Sequence, residues 1–133
     1  MATPYQDRKL PEPILNVGDE HYFEAANQGK LLLKKCGDCG QIHHYPRAIC
    51  PFCLSSKVDW IEAKGTGTIY SYSVTRRAGP IPYCIAYVTL DEGVTVMTNI
   101  VDCDLDTVRI GQKVKLTFKP SEGGTGIAMF APA

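Results

Sequence analysis

The sequence predicts a mainly β chain in which a short helix leads into a metal-stapled ribbon and then a small five-stranded barrel. Three observations predict it. Cysteines at 36, 39, 50 and 53 form two CxxC pairs. From Lys64 onward, runs of Thr, Tyr, Val and Ile alternate with compact turns at even spacing. Helical patterning is confined to one stretch near the start.

Residues 1–18 carry Pro4, Pro11 and Pro13 among polar residues and read as an extended arm rather than packed structure. From Asp19 to Gln28 the pattern turns helical: Asp19 stands where a cap belongs, Tyr22, Ala25 and Ala26 form a stripe, and Gly29 ends it. Leu31, Leu32 and Leu33 lead into the cysteine region, which runs to about Trp60. A first strand is expected over 64–77, ended by Gly79, Pro80 and Pro82. In residues 83–90, Cys84, Ala86, Val88 and Leu90 share one face, and Asp91-Glu92-Gly93 turns the chain into 94–101, so the two runs read as a hairpin. A polar connection with short helical character follows to Ile110. Residues 113–119 alternate cleanly, with Val114, Leu116 and Phe118 inward and lysines outward, and a last strand begins near Gly126. Five short strands with one mid-chain connection suit a small Greek-key barrel, of which the OB-fold is the commonest five-stranded form. The expected division is 1–18 for the arm, 19–60 for helix plus ribbon and 61–133 for the barrel.

The 133 residues suffice for one core and a small appended module. Lys plus Arg and Asp plus Glu are both 14, so no net field concentrates a polyanion, and nucleic acid is not an expected partner. No stretch approaches the roughly 18–20 apolar residues that span a bilayer. The N-terminal residues have no signal-type apolar run, and six cysteines without an export signal point to metal before disulfides and to the cytoplasm.

A CxxC turn aims two thiolates at one point, and two such turns make the closed sulfur tetrahedron that zinc prefers. Gly37 and Gly40 supply backbone freedom at the first turn, and the ten-residue spacer has room for a hairpin between the knuckles. Two disulfides, reduced core thiols or a single iron are the alternatives that cysteine spacing leaves open. With four protein ligands the site has no open position, so the metal is read as structural. His43 and His44, between the knuckles, are expected as exposed hairpin residues rather than ligands, and His21 has no evident partner. Cys84 and Cys103 read as small buried residues rather than nucleophiles. Arg76, Arg77 and Tyr83 stand at a strand end, where two guanidiniums and a ring suit a phosphate and a base, although a solvated strand end has the same composition. Tyr70, Tyr72, Tyr83 and Tyr87 fit either a stacking face for single strands or half-buried packing. No nucleophile–histidine–acid arrangement or glycine-rich phosphate loop is present in the sequence, which argues against an autonomous enzyme.

Several segments carry a resemblance. They are Phe23-Glu24, then Gly29 through Cys36, Cys39-Gly40, Tyr45-Pro46-Arg47 and Cys50-Pro51-Phe52-Cys53, with Gly65 through Val74, Ala86 through Gly93 and Ile110 through Val114 in the barrel. The chain resembles the zinc-ribbon plus OB-fold family of acyl-CoA-associated proteins, long catalogued as a domain of unknown function. The resemblance implies an N-terminal helix, a rubredoxin-like zinc ribbon and a five-stranded OB-fold barrel. It implies structural Zn2+ on Cys36, Cys39, Cys50 and Cys53, since this chain keeps all four cysteines. It further implies a non-catalytic accessory subunit in a hetero-oligomer with a thiolase-fold acyl-CoA enzyme, or secondly with an acyl-CoA hydratase or aldolase. The barrel would help hold the CoA thioester, for which Arg76, Arg77 and Tyr83 are the candidate contacts. The ribbon and helix would dock the partner, for which Tyr22, Phe23, Leu31, Leu32 and Leu33 are the candidates.

Overall fold

The fold is taken from a computed structural model, which describes residues 2–77 and 81–133. Gly79 and Pro80, expected to break the first barrel strand, lie outside the described residues.

Helix α1 spans Glu20–Asn27 and buries Tyr22, Ala25 and Ala26, the stripe its sequence shows. Gly29, at φ +81°, ends it. Its N–H bonds Ala26 O and the Lys30 N–H bonds Ala25 O, the paired closure that a left-handed residue makes possible. Asp19 stands at the N-cap, but its carboxylate makes no bond to the first turn. It turns back instead and accepts the Asn16 N–H at 2.9 Å.

The ribbon is a three-stranded antiparallel sheet in the order β2-β1-β3, with β1 at Leu32–Cys36, β2 at Ile42–His43 and β3 at Val58–Glu62. The expected hairpin between the knuckles is placed differently, because β2 pairs back onto β1 across the first knuckle. Strand β3 closes the other edge of β1 along five register pairs, from Leu32↔Glu62 to Cys36↔Val58. The sheet therefore continues two residues past Trp60.

The barrel strands are β4 (Thr66–Thr75), β5 (Tyr83–Leu90), β6 (Thr95–Ile100), β7 (Lys113–Pro120) and β8 (Gly126–Pro132). They close in the order β4-β5-β6-β8-β7. Cys84, Ala86, Val88 and Leu90 all point inward, each at most 2% exposed. Between β6 and β7, Leu105–Thr107 forms one 3-10 turn capped by the Asp104 carboxylate. Gly67 is where β4 lies tight on β5: a Cβ there would stand 2.7 Å from Val88 Cγ1 and 2.8 Å from Thr89 O.

Ribbon and barrel share one core. Tyr22, Ala25 and Leu31–Leu33 belong to the same buried cluster as Ile69, Val88, Ile100 and Phe130. The arm is extended as expected, but it is packed. Tyr5 N–H bonds Cys103 O, and Leu10 is buried against Val101, Met129 and Ala131. The Glu12 carboxylate accepts from the Ser121 and Thr125 hydroxyls and the Gly123 N–H. Proline keeps the arm out of helix and sheet ladders, yet side chains and single backbone bonds still tie it down.

Candidate metal centre

Each CxxC turn sits where a strand ends or a loop turns back. Cys36 closes β1, and the Asp38 and Cys39 N–H groups both point at its sulfur, at 3.4 Å. In the second turn the Phe52 N–H points at the Cys50 sulfur, also at 3.4 Å. The turns are equivalent one residue further on. Gly40 N–H bonds Cys36 O and Leu54 N–H bonds Cys50 O, with both residues in the left-handed region at φ +76° and +66°. Glycine suits that conformation, whereas leucine is strained in it. Gly37, expected to share the role of Gly40, is not among the positive-φ glycines. The turns are tied together by Ser55, whose hydroxyl donates to Asp38, and by the Gly37 N–H on Lys57 O.

The four sulfurs lie within 4.8 Å of one another. The Cys36–Cys53 and Cys39–Cys50 separations are 3.5 and 3.6 Å. Zinc–sulfur bonds of about 2.3 Å require tetrahedral edges of ~3.8 Å, so these thiols fit one zinc ion. All six cysteines are free, which removes the disulfide alternative. The donor set also asks for a cation. The Cys39 N–H, against burial and with help from the Asp38 N–H, holds the Cys36 thiol down to about 6. The Ser55 N–H pulls Cys53 the same way, but the neighbouring sulfurs and burial outweigh it and push that thiol up to about 12. Four thiolates at this spacing need a divalent metal to coexist. Cys36 and Cys50 are buried while Cys39 and Cys53 face outward, so the centre sits at the rim of the ribbon.

His43 and His44 stand outside the four-sulfur cluster, and they are not exposed either. His43 is 4% exposed, and its Nε2 accepts the Arg47 N–H at 3.2 Å, bracing the loop into the second knuckle. His44 Nε2 lies 3.0 Å from the Tyr22 hydroxyl, and burial, with His43 nearby, lowers its pKa to about 4. His44 thus fills the contact between the ribbon loop and α1 while His43 braces the loop itself, roles that a run of two in a spacer does not reveal. His21 packs against Trp60, with ring centroids 5.0 Å apart. Cys84 is fully buried and burial pushes its thiol up to about 11, the opposite of the exposed, low-pKa setting of a reactive thiol. Cys103 is half-buried, and desolvation raises its thiol too.

Arg76 and Arg77 follow the end of β4, and Tyr83 opens β5 as the register partner of Thr75. Arg76 donates from Nε and Nη2 to Asp106 Oδ1 at 3.0 and 2.8 Å. Arg77 is exposed. The Arg8 guanidinium lies 4.4 Å from the Tyr83 ring centroid. The arm thus brings Arg8 to this cluster, which sequence distance conceals. Of the residues expected to dock a partner, Tyr22, Leu31, Leu32 and Leu33 are 1–8% exposed. They pack the chain's own core and are not available to a partner, because the ribbon needs their apolar surface to seat on the barrel. Phe23 alone reaches the surface, flooring a cleft of about 510 Å³ with Tyr45 and Arg47 at its edge.

Comparison with known proteins places both units. Residues 23–59 match the ChsH2 rubredoxin-like zinc ribbon domain and residues 60–119 the ChsH2 C-terminal OB-fold domain. The chain is 36% identical to a DUF35 domain-containing scaffold protein of Methanothermobacter thermautotrophicus, over 72% of this chain and 78% of that protein. It is also 36% identical to a probable enoyl-CoA hydratase alpha subunit of Thermomonospora curvata, over 92% of this chain but only 40% of that protein's length. Among solved structures it is similar to a chain of the Ltp2-ChsH2(DUF35) aldolase, with TM-score 0.78 and 35% identity over 91% of this chain and 98% of that one. The fold recurs in a DUF35 protein of Sulfolobus solfataricus at TM-score 0.62 and 19% identity, over 86% and 84% of the two chains. With its four-cysteine ribbon, its closed five-stranded barrel and these matches, the chain belongs to the DUF35 family of ChsH2-type zinc-ribbon plus OB-fold proteins.

Proposed function

We propose that this chain is a non-catalytic accessory subunit of an acyl-CoA enzyme complex, with one structural zinc holding its ribbon. The observation that carries the reading is the likeness to the ChsH2(DUF35) aldolase chain, which this chain matches over nearly that chain's full length. The inert environment of Cys84 supports a subunit without its own nucleophile. The enzyme subunit we assign as partner has a thiolase fold and makes or breaks a C–C bond beside a CoA thioester. An acyl-CoA hydratase or aldolase is the second reading, favoured by the names of the Thermomonospora curvata relative and of the Ltp2-ChsH2(DUF35) aldolase. The neutral composition counts against a single-strand nucleic-acid binder. Six free cysteines accord with a reducing cytoplasm. No helix among the described residues is long and apolar enough to cross a membrane.

Arg77 and Tyr83, with Arg8 beside the ring, are the proposed contacts for the phosphates and adenine of CoA. Arg76 is already committed to Asp106, so its part is to hold the strand end. The test is to capture the tagged chain from its host at moderate salt and identify what co-purifies. A stoichiometric thiolase-fold enzyme is the expected result, and a hydratase or an aldolase of another fold selects the second reading. Nuclease-sensitive recovery of nucleic acid without any acyl-CoA enzyme refutes both. In the complex, Arg77→Ala should raise KM for the CoA thioester, and an unchanged KM retires that contact.

A further inference from the structure

One face of the barrel is uncharged and aromatic. None of the residues in β4, β5 or β6 is Asp, Glu, Lys or Arg. The inward half of that composition fills the core. The outward half leaves Tyr70 68%, Ile85 38%, Tyr87 47% and Met97 62% exposed. They adjoin one another through the strand register. Tyr87 pairs with Met97 across β5 and β6, and Tyr87 faces Ser71, beside which Tyr70 stands in the β4 bulge. Ile85 is two residues along β5 on the same face. Met97 and Tyr45, the latter 57% exposed, line one small gap between barrel and ribbon, so the patch continues from one unit onto the other.

We propose that Tyr70, Ile85, Tyr87 and Met97 of the barrel, continued by Tyr45 of the ribbon, form the docking surface for the acyl-CoA enzyme subunit. The inference rests on the accessory-subunit reading above and names the surface that does the docking. Three features select a protein with an uncharged, apolar complementary face. The three strands that carry the face hold no cation, and Lys113 beside Thr68 and Arg47 beside Tyr45 give only a small counterion-release gain to a nucleic acid or an anionic membrane. On the barrel, tyrosine and methionine stand on strands that carry no charged residue, the composition of interface centres. At these exposures the five side chains offer roughly 500 Å², the size of the largest patches on monomers, and the hydroxyl side chains between them carry the face toward the ~800 Å² per partner of a standard interface. Contact is through side chains on a rigid sheet. By spanning barrel and ribbon, it fixes both units against the enzyme.

The test places a photo-crosslinking phenylalanine analogue at position 87, at 97, or at the exposed control Ile110 of the tagged full chain in its host. Crosslinks from 87 and 97 to the acyl-CoA enzyme subunit, and none from 110, are expected. A crosslink from 87 or 97 to a second copy of this chain, or enzyme crosslinks from 110 alone, overturns the assignment. In parallel, a Tyr87→Asp, Met97→Lys chain should recover at least tenfold less enzyme than wild type, with Ile110→Lys recovering the wild-type amount. Equal recovery by the double variant refutes the surface while leaving the accessory-subunit reading intact. If the wild-type chain itself recovers no acyl-CoA enzyme, that reading fails and this inference with it.

Discussion

Removing the metal should open four thiols and one structural unit. Of the six cysteines, the four clustered in the ribbon are the proposed ligands, Cys84 is fully buried and Cys103 is half-buried. The loaded chain therefore presents at most one thiol to an aromatic disulfide reagent, that of Cys103. Chelation frees the four ligands and takes the count to five, with Cys84 protected by burial and by a thiol pushed up to about 11. One metal ion should leave per chain. The energetic consequence follows from β1, which carries Leu32 and Leu33 at 8% and 1% exposure and follows Leu31 at 2%. Each buried leucine stabilises by about 1.5–3 kcal/mol. A ribbon that no longer holds these side chains on the barrel thus forfeits several kcal/mol of shared core, a large part of a typical domain's stability. The assays are a timed thiol titration, a colorimetric zinc readout and amide exchange over residues 32–62. Exchange there should rise to near the unprotected rate on chelation. A thiol count that stays constant while zinc leaves, or a ribbon that remains protected without metal, would refute the reasoning.

Four further outcomes are expected. Leu54, strained at φ +66° and 77% exposed, does for the second knuckle what Gly40 does for the first. Leu54→Gly should therefore stabilise the loaded chain by about 1 kcal/mol, seen as a higher denaturant midpoint. Gly67→Ala should cost about 2–3 kcal/mol, because its Cβ meets the Thr89 carbonyl and the fully buried Val88; a loss below about 1 kcal/mol in chemical denaturation contradicts that close fit. His44, with its folded pKa lowered to about 4 by burial, binds its proton more readily in the unfolded chain. Stability should fall as pH drops from about 6.5 and level off below about 4, by about 3 kcal/mol from this residue; His44→Gln should remove that slope in pH-dependent denaturation. Glu12 is held below the usual carboxylate range by the Ser121 hydroxyl first, then by the Thr125 hydroxyl and the Gly123 N–H. Its stabilising contribution is present at neutral pH and is lost as pH falls through that lowered value, so proteolysis within the arm should accelerate in acid.

Periodicity and cysteine spacing made the four-cysteine cluster, α1 and the five barrel strands legible, because each depends on neighbours within a few residues. Val58–Glu62 was not legible as a third ribbon strand, since its pairing with β1 is decided some 30 residues away. The burial of His43 and half-burial of His44 were hidden for the same reason: only the folded ribbon, with His44 set on Tyr22 of α1, shows that these rings are covered. The leucine run shows the limit most clearly. As a sequence, Leu31-Leu32-Leu33 fits a docking face and a core equally well, because hydrophobicity measures the gain from leaving water and not what covers the side chain. The fold gave those leucines to the chain's own core, and it left Tyr70, Tyr87 and Met97 uncovered on strands whose alternation alone looks like ordinary half-buried sheet. Local chemistry thus determined the cysteine cluster and the elements. Which apolar surface remained for a partner was decided by tertiary structure, because exposure is a property of the packed chain.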